Sequence, residues 1–265
     1  MTQPDPSEIP VVVLCGGQGT RIREASEKLP KPLIEIGNRP ILWHIMKLYG
    51  AHGFRHFILC LGYKSWDIKQ YFLNYENLTS DITVKVGSKE VAHLEREPID
   101  DWDISLIDTG MDTGTGGRVA NVADLIDTDY FMLTYGDGLG DVDLRGELAT
   151  LAESELYGLV TGVHPTSRYG ELGVTDGIVT NFAEKPPSEG WVSGGFFAFR
   201  RQFLDYLVTE DPLHFFEGAP LQTMAGEKRL GLFPHDGFWM GMDTYREYTA
   251  LNEMWANGTA PWKVW

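Results

Sequence analysis

Residues 11–21 read Val-Val-Val-Leu-Cys-Gly-Gly-Gln-Gly-Thr-Arg. Five apolar residues follow one another without alternation and run straight into glycine. A strand with one wet face alternates apolar and polar residues. A continuous apolar run fits a strand covered on both faces, as in a parallel sheet. Behind it lies Gly16-Gly17-Gln18-Gly19-Thr20-Arg21. Glycines let backbone come close to a ligand and turn successive N–H groups toward an anion. Arg21 adds a planar, two-pronged donor for phosphate. The spelling is not a P-loop, because no Gly-Lys-Ser/Thr follows, and the spacing misses Gly-x-Gly-x-x-Gly, which disfavours a dinucleotide-binding domain. Read alone, the stretch is an anion loop or a tight strand-to-helix turn.

Outward from this stretch the chain alternates strands and helices. Ile41 to His52 has helical periodicity, with Ile41, Ile45, Leu48 and Tyr49 on one face. Phe57 to Leu61 is a second buried strand, closed by Gly62, and Asp67 to Asn74 reads as a short helix. Further strands are expected at Ile82–Val86, Trp102–Ile107, Tyr130–Tyr135, Leu159–Val163, Leu172–Val174, Ile178–Phe182 and Phe196–Phe199, the last followed by a helix from Arg201. This alternation predicts an α/β fold, a mostly parallel sheet with helices on both faces, whose ligands bind at the carboxyl ends of the strands.

Composition narrows the classes of function. The 265 residues, 43% hydrophobic, suffice for one large α/β domain or two small ones. No stretch approaches the ~18 apolar residues of a membrane span, and Met1 to Pro10 lacks the features of a signal peptide, so the chain is expected in the cytoplasm. Its net charge of −16 repels polyphosphate backbones and argues against a nucleic-acid partner. A nucleotide substrate needs only a local cluster of positive charge and a metal. Cys15 and Cys60, each in a strand-like run, are expected as reduced, buried thiols.

Ten residues beyond Arg21 stands Leu29-Pro30-Lys31-Pro32-Leu33. The two prolines stiffen the backbone around one lysine and fix where its ammonium points. Beside a glycine loop, such a cation suits a charged transition state.

Taken together, Cys15-Gly-Gly-Gln-Gly-Thr-Arg21 and Lys31-Pro32 resemble the signature of the sugar-1-phosphate nucleotidylyltransferases. The resemblance continues in order through Pro40-Ile-Leu-Trp-His-Ile-Met-Lys47, Asp108-Thr-Gly110, Thr115-Gly-Gly-Arg118, Tyr135-Gly-Asp-Gly138, Glu184-Lys-Pro186, Gly194-Gly-Phe-Phe197, Gly237-Phe-Trp239, Met242-Asp-Thr244 and Ala260-Pro-Trp-Lys263. Any one of these is weak, but the ordered set looks like the glucose-1-phosphate cytidylyltransferases. It implies a Rossmann-like nucleotidyltransferase domain, with a nucleotide part over about 9–140, a sugar-phosphate part over about 141–245 and a C-terminal docking segment over about 246–265. The implied chemistry is in-line attack of a sugar 1-phosphate on the α-phosphate of CTP, assisted by Mg²⁺ and releasing pyrophosphate. By resemblance, Leu14, Cys15, Gly16, Gly17, Gln18, Gly19, Thr20 and Arg21 wrap the nucleotide, and Lys31 neutralises the α-phosphate region. Thr113, Gly117 and Arg118 contact the nucleotide and help choose its base. Asp137 and Asp243 hold Mg²⁺. Glu184, Lys185, Gly194 and Gly195 serve the sugar phosphate. A homo-oligomer is implied as well.

The sugar half departs from the family's spelling. Gly114 stands for a methionine, Ser193 for an asparagine, Ala219 for a glutamate, and Met240-Gly241 for Gln-Pro. Shortened polar side chains can change which acceptor is taken. Rival readings are the same transfer from GTP, UTP or dTTP, a silent regulatory subunit, and a glycosyltransferase built on Asp141-Val-Asp143. His44, Phe238 and Trp239 read as packing residues, and Trp255, Trp262 and Trp265 as a docked tail.

Overall fold

All four residues of β1 (Val11–Leu14) are buried, as an apolar run with two covered faces requires. The computed structural model describes residues 3–17, 29–94, 100–165, 171–175, 178–183, 190–208 and 211–265. Among them β1 joins β2 (His56–Leu61), β3 (Asp103–Asp108), β4 (Tyr130–Tyr135), β5 (Gly158–Val163), β6 (Val192–Arg200) and β7 (Leu230–Pro234). The sheet order is β7-β5-β6-β4-β1-β2-β3. Neighbours run parallel except at β6, which is antiparallel to β4 and β5. Alternate residues of β1 feed opposite layers. Val11 and Val13 pack with the helix α1 (Ile41–Ala51), and Val12 and Leu14 pack with Val119 and Phe216.

Further helices among the described residues are α2 (Ser65–Leu73), α3 (Thr115–Ala120), α4 (Leu144–Ala152), α5 (Ala219–Gly226) and α6 (Tyr245–Ala256), with a five-residue helix at Tyr75–Thr79 following α2. The strands expected at Ile82–Val86 and at Leu172–Val174 with Ile178–Phe182 are present and lie outside the main sheet. They form separate hairpins, Asp81–Lys85 with Glu90–Leu94 and Glu171–Thr175 with Ile178–Ala183. The first hairpin is exposed along nearly its whole length, so no second layer covers it. The helix expected from Arg201 is a 3₁₀ stretch, Arg201–Leu207.

The chain leaves β1 toward β2 on one side, while β4 lies on the other. The register pairs Leu14 with both Cys60 and Tyr135, so three strands end level. A crevice opens where such neighbours diverge. Cys15-Gly16-Gly17 and Gly136-Asp137 follow directly at that point.

Candidate active site

A cavity of about 690 Å³ opens at these strand ends. Leu14, Cys15, Gly16 and Gly17 line it beside Lys31, Asp137 and Asp243. Lys31 begins a short 3₁₀ turn, Lys31–Leu33. Pro30 precedes it in extended conformation, and the Leu33 N–H returns to the Pro30 carbonyl at 2.8 Å. Thus fixed, Lys31 Nζ donates to Asp137 Oδ2 at 2.6 Å and Asp243 Oδ1 at 2.8 Å. Burial works to lower the lysine's pKa, but the two carboxylates outweigh it and hold the ammonium above its ordinary value.

Backbone pairing brings Asp243 to Asp137. Gly138–Gly140 pairs antiparallel with Trp239–Gly241, and the Met242 N–H donates to the Asp137 carbonyl at 2.8 Å. Thr244 then caps α6 in a capping box with Glu247, whose carboxylate also accepts from the Asp243 N–H at 2.8 Å. The two side-chain carboxylates are 38% exposed, and among the described residues the Lys31 ammonium sits between them. A pair of hard oxygen donors already arranged around a cation fits a divalent ion such as Mg²⁺, which takes few carboxylates and keeps several waters. Among the described residues no group of three or more His, Cys, Asp or Glu side chains forms a fuller metal cage.

Arg118 lies at the floor and is 5% exposed. Its guanidinium donates to the carbonyls of Leu61, Gly110, Met111 and Gly16, and to Thr109 Oγ1 at 2.8 Å. It therefore ties together the loops behind β1, β2 and β3. Glycine is needed around it: a Cβ at Gly16 would lie 2.0 Å, and one at Gly62 2.6 Å, from Arg118 Nη1. Sequence reasoning treated Gly62 only as the end of a strand. Thr113 lines the cavity, and its hydroxyl donates to the Thr109 carbonyl at 2.5 Å.

Residues 211–217 lie along the start of α3. The Gly114 N–H donates to the Pro212 carbonyl and the Gly116 N–H to that of His214. A Cβ at Gly114 would stand 2.2 Å from the His214 oxygen, and one at Gly117 would stand 2.5 Å from that of Pro212. Gly117 thus seats this segment. The Tyr135 and Thr115 hydroxyls donate to the two carboxylate oxygens of Glu217. Sequence reasoning assigned no role to Tyr135 or Glu217; the tyrosine's place beside Gly136-Asp137 was the available signal.

Gly194 and Gly195 sit behind the cavity. The Gly194 carbonyl accepts from Trp239 Nε1 at 2.6 Å, and Gly195, at φ +80°, leaves room for the Tyr135 ring. Ser193 and Ala219 are exposed, while Met240 and Gly241 lie in the strand that leads to Asp243. Gln18, Gly19, Thr20, Arg21, Glu184 and Lys185 fall outside the described residues. Asp141 accepts from the Phe238 N–H and pairs with His235, and Asp143 caps α4. That Asp-x-Asp is committed to structure, which removes the support for a glycosyltransferase. Cys15 and Cys60 are free and buried, and burial pushes the Cys60 thiol up to about 12.

The profile of the family described as "Nucleotidyl transferase" matches residues 10–256. A glucose-1-phosphate cytidylyltransferase of Salmonella typhimurium is 42% identical over 96% of this chain and 98% of its own length. A D-glycero-alpha-D-manno-heptose 1-phosphate guanylyltransferase of Campylobacter jejuni is 26% identical over 78% of this chain and 82% of its own. In fold, the chain resembles the crystal structure of HddC from Yersinia pseudotuberculosis, with TM-score 0.67 and 21% identity over 93% of this chain and 99% of the other.

Proposed function

The chain belongs to the nucleotidyl transferase family, and we propose that it transfers CMP from CTP to α-D-glucose 1-phosphate, giving a CDP-sugar and pyrophosphate. The observation that carries this reading is the meeting of Lys31, Asp137 and Asp243 at the point where β1 and β4 diverge. The sugar phosphate is already an anion at neutral pH, so the transfer needs no protein nucleophile. The site has to align two polyanions and offset their charge.

In this reading the N–H groups behind β1 face the triphosphate, and Arg118 keeps the loops that bear them in place. Thr113 serves the base. Asp137 and Asp243 would hold Mg²⁺, which supplies charge neutralisation along the triphosphate when bound. Lys31 then has phosphate oxygens to engage in place of its carboxylate partners. Arg21 would join the nucleotide's phosphates, and Glu184 and Lys185 the sugar phosphate. The same reading carries a cytoplasmic location and a homo-oligomeric assembly. The assembly is supported by apolar side chains left open on the Asp81–Leu94 hairpin; among the described residues no helix is long and apolar enough to cross a membrane.

The test is pyrophosphate release in Mg²⁺, with CTP, UTP, dTTP, GTP and ATP each set against a panel of sugar 1-phosphates. Release with CTP and glucose 1-phosphate is expected to exceed every other pair. A stronger pair would move the substrate assignment, and silence across the whole matrix from a folded protein would overturn the transfer itself.

A further inference from the structure

Two chemically different sets of side chains line the cavity. Lys31, Asp137 and Asp243 are charged. Met111, Leu213 and Phe215 are apolar and are 56%, 54% and 61% exposed. Large apolar side chains left open inside a binding cavity are surface that a ligand can cover.

Two of the three ride on residues 211–217, and that segment is anchored from both sides. Phe216 turns into the core, against Tyr135, Phe197 and Phe203. Its neighbour Phe215, and Leu213 before it, stay on the cavity side. Hydrogen bonds from Gly114 and Gly116 fix the backbone, and Glu217 grips Tyr135 and Thr115. Glycine at 114 is what admits the segment, since a Cβ there would meet the backbone oxygens of His214 at 2.2 Å and Leu213 at 2.4 Å.

We propose that Leu213 and Phe215 form a lip that packs on the base of the bound nucleoside triphosphate, in the same cavity as Met111, with Glu217 as the positioning residue that fixes the lip. The inference rests on the reading that the cavity takes CTP. A nucleotide carries its charge at one end and a flat, weakly solvated ring at the other, and the cavity lining offers both a charged and an apolar surface. Contact with an apolar or aromatic side chain holds such a ring without regard to its phosphates.

The test compares the binding of CTP with that of inorganic tripolyphosphate, a phosphate chain without a base, by calorimetry on the full chain in Mg²⁺. Leu213→Ala, Phe215→Ala and Glu217→Ala are each expected to bind CTP about tenfold more weakly and tripolyphosphate as tightly as the unaltered chain. Glu217→Gln keeps one acceptor for a hydroxyl and falls between. Unchanged affinity for every nucleotide would overturn the lip, and so would an equal loss for nucleotide and tripolyphosphate, which is what a merely structural segment gives. The same series with GTP and UTP separates the two readings. A selective loss seen only with another nucleotide would keep the lip and remove the assignment of CTP. An unaltered chain that binds tripolyphosphate but no nucleotide would remove both.

Discussion

Two of the regions that bury ionisable side chains treat them in opposite ways. At the carboxyl ends of the strands each buried cation has partners: Lys31 has two carboxylates, and Arg118 has four carbonyls and a hydroxyl. Between α4 and β5, Glu147 is fully buried with one donor, Thr161 Oγ1 at 2.9 Å, and, among the described residues, no partner for its other oxygen. Burial pushes its carboxyl up to about 8, so it sits neutral where the cations sit charged. Company, more than depth, separates groups that can meet a charged ligand from groups that only fill the core. The two cations differ too: carboxylates around a lysine can be traded for phosphate, whereas backbone carbonyls around an arginine cannot.

The sharpest break in this contrast comes at the carboxylates. Asp137→Asn and Asp243→Asn are each expected to abolish Mg²⁺-dependent pyrophosphate release while circular dichroism stays unchanged. Near-normal activity in both would remove the metal assignment. Lys31→Ala is expected to cut kcat by about 10²-fold or more and nucleotide affinity far less, because its charge matters most as charge builds at phosphorus. An equal fall in affinity would make it a ground-state binder only. Arg118→Met leaves buried carbonyls without donors and is expected to cost about 3 kcal/mol of stability, read as a lower urea midpoint; an unchanged midpoint would show that the loops hold without it.

Glu147→Gln should have the smallest effect, and it depends on pH. The carboxyl binds its proton more tightly folded than unfolded, so its contribution is complete below about 4.5 and is lost as pH rises through about 8. Glutamine cannot ionise. The variant is therefore expected to match the parent near pH 4.5 and to exceed it in melting temperature near pH 9. Parallel curves would mean that the carboxyl stays charged in the core.

Much of the sheet was legible because its strands are covered on both faces and read as unbroken apolar runs, as at Val11–Leu14 and Phe57–Leu61. The hairpin at Asp81–Leu94 has the same β-branched composition but no covering layer, and composition does not say where a strand goes. Lys31 was legible from its two prolines. The meeting of Asp137 with Asp243 was not, since it depends on the pairing of Gly138–Gly140 with Trp239–Gly241. Thr244 and Glu247 carry the spacing of a capping box, a local signal for α6 that the strand-centred reading passed over. Gly114 looked like a lost side chain, and only the close passage of residues 211–217 explains it. Glu217 carried no pattern at all, for its partners come from two distant elements.

One contact far from the cavity bears on how the chain is made. His44, on α1, is fully buried and accepts from the Trp262 indole at Nδ1, 3.4 Å away and 218 residues later in the sequence. Its Nε2–H is then free to donate to the Ile36 carbonyl at 2.9 Å. Trp255 and Trp265 pack edge-on or tilted around the same ring. A ribosome adding about 10 residues per second would leave this face of α1 uncovered for roughly 20 s, so α1 finishes its packing only once the tryptophans of residues 255–265 have emerged.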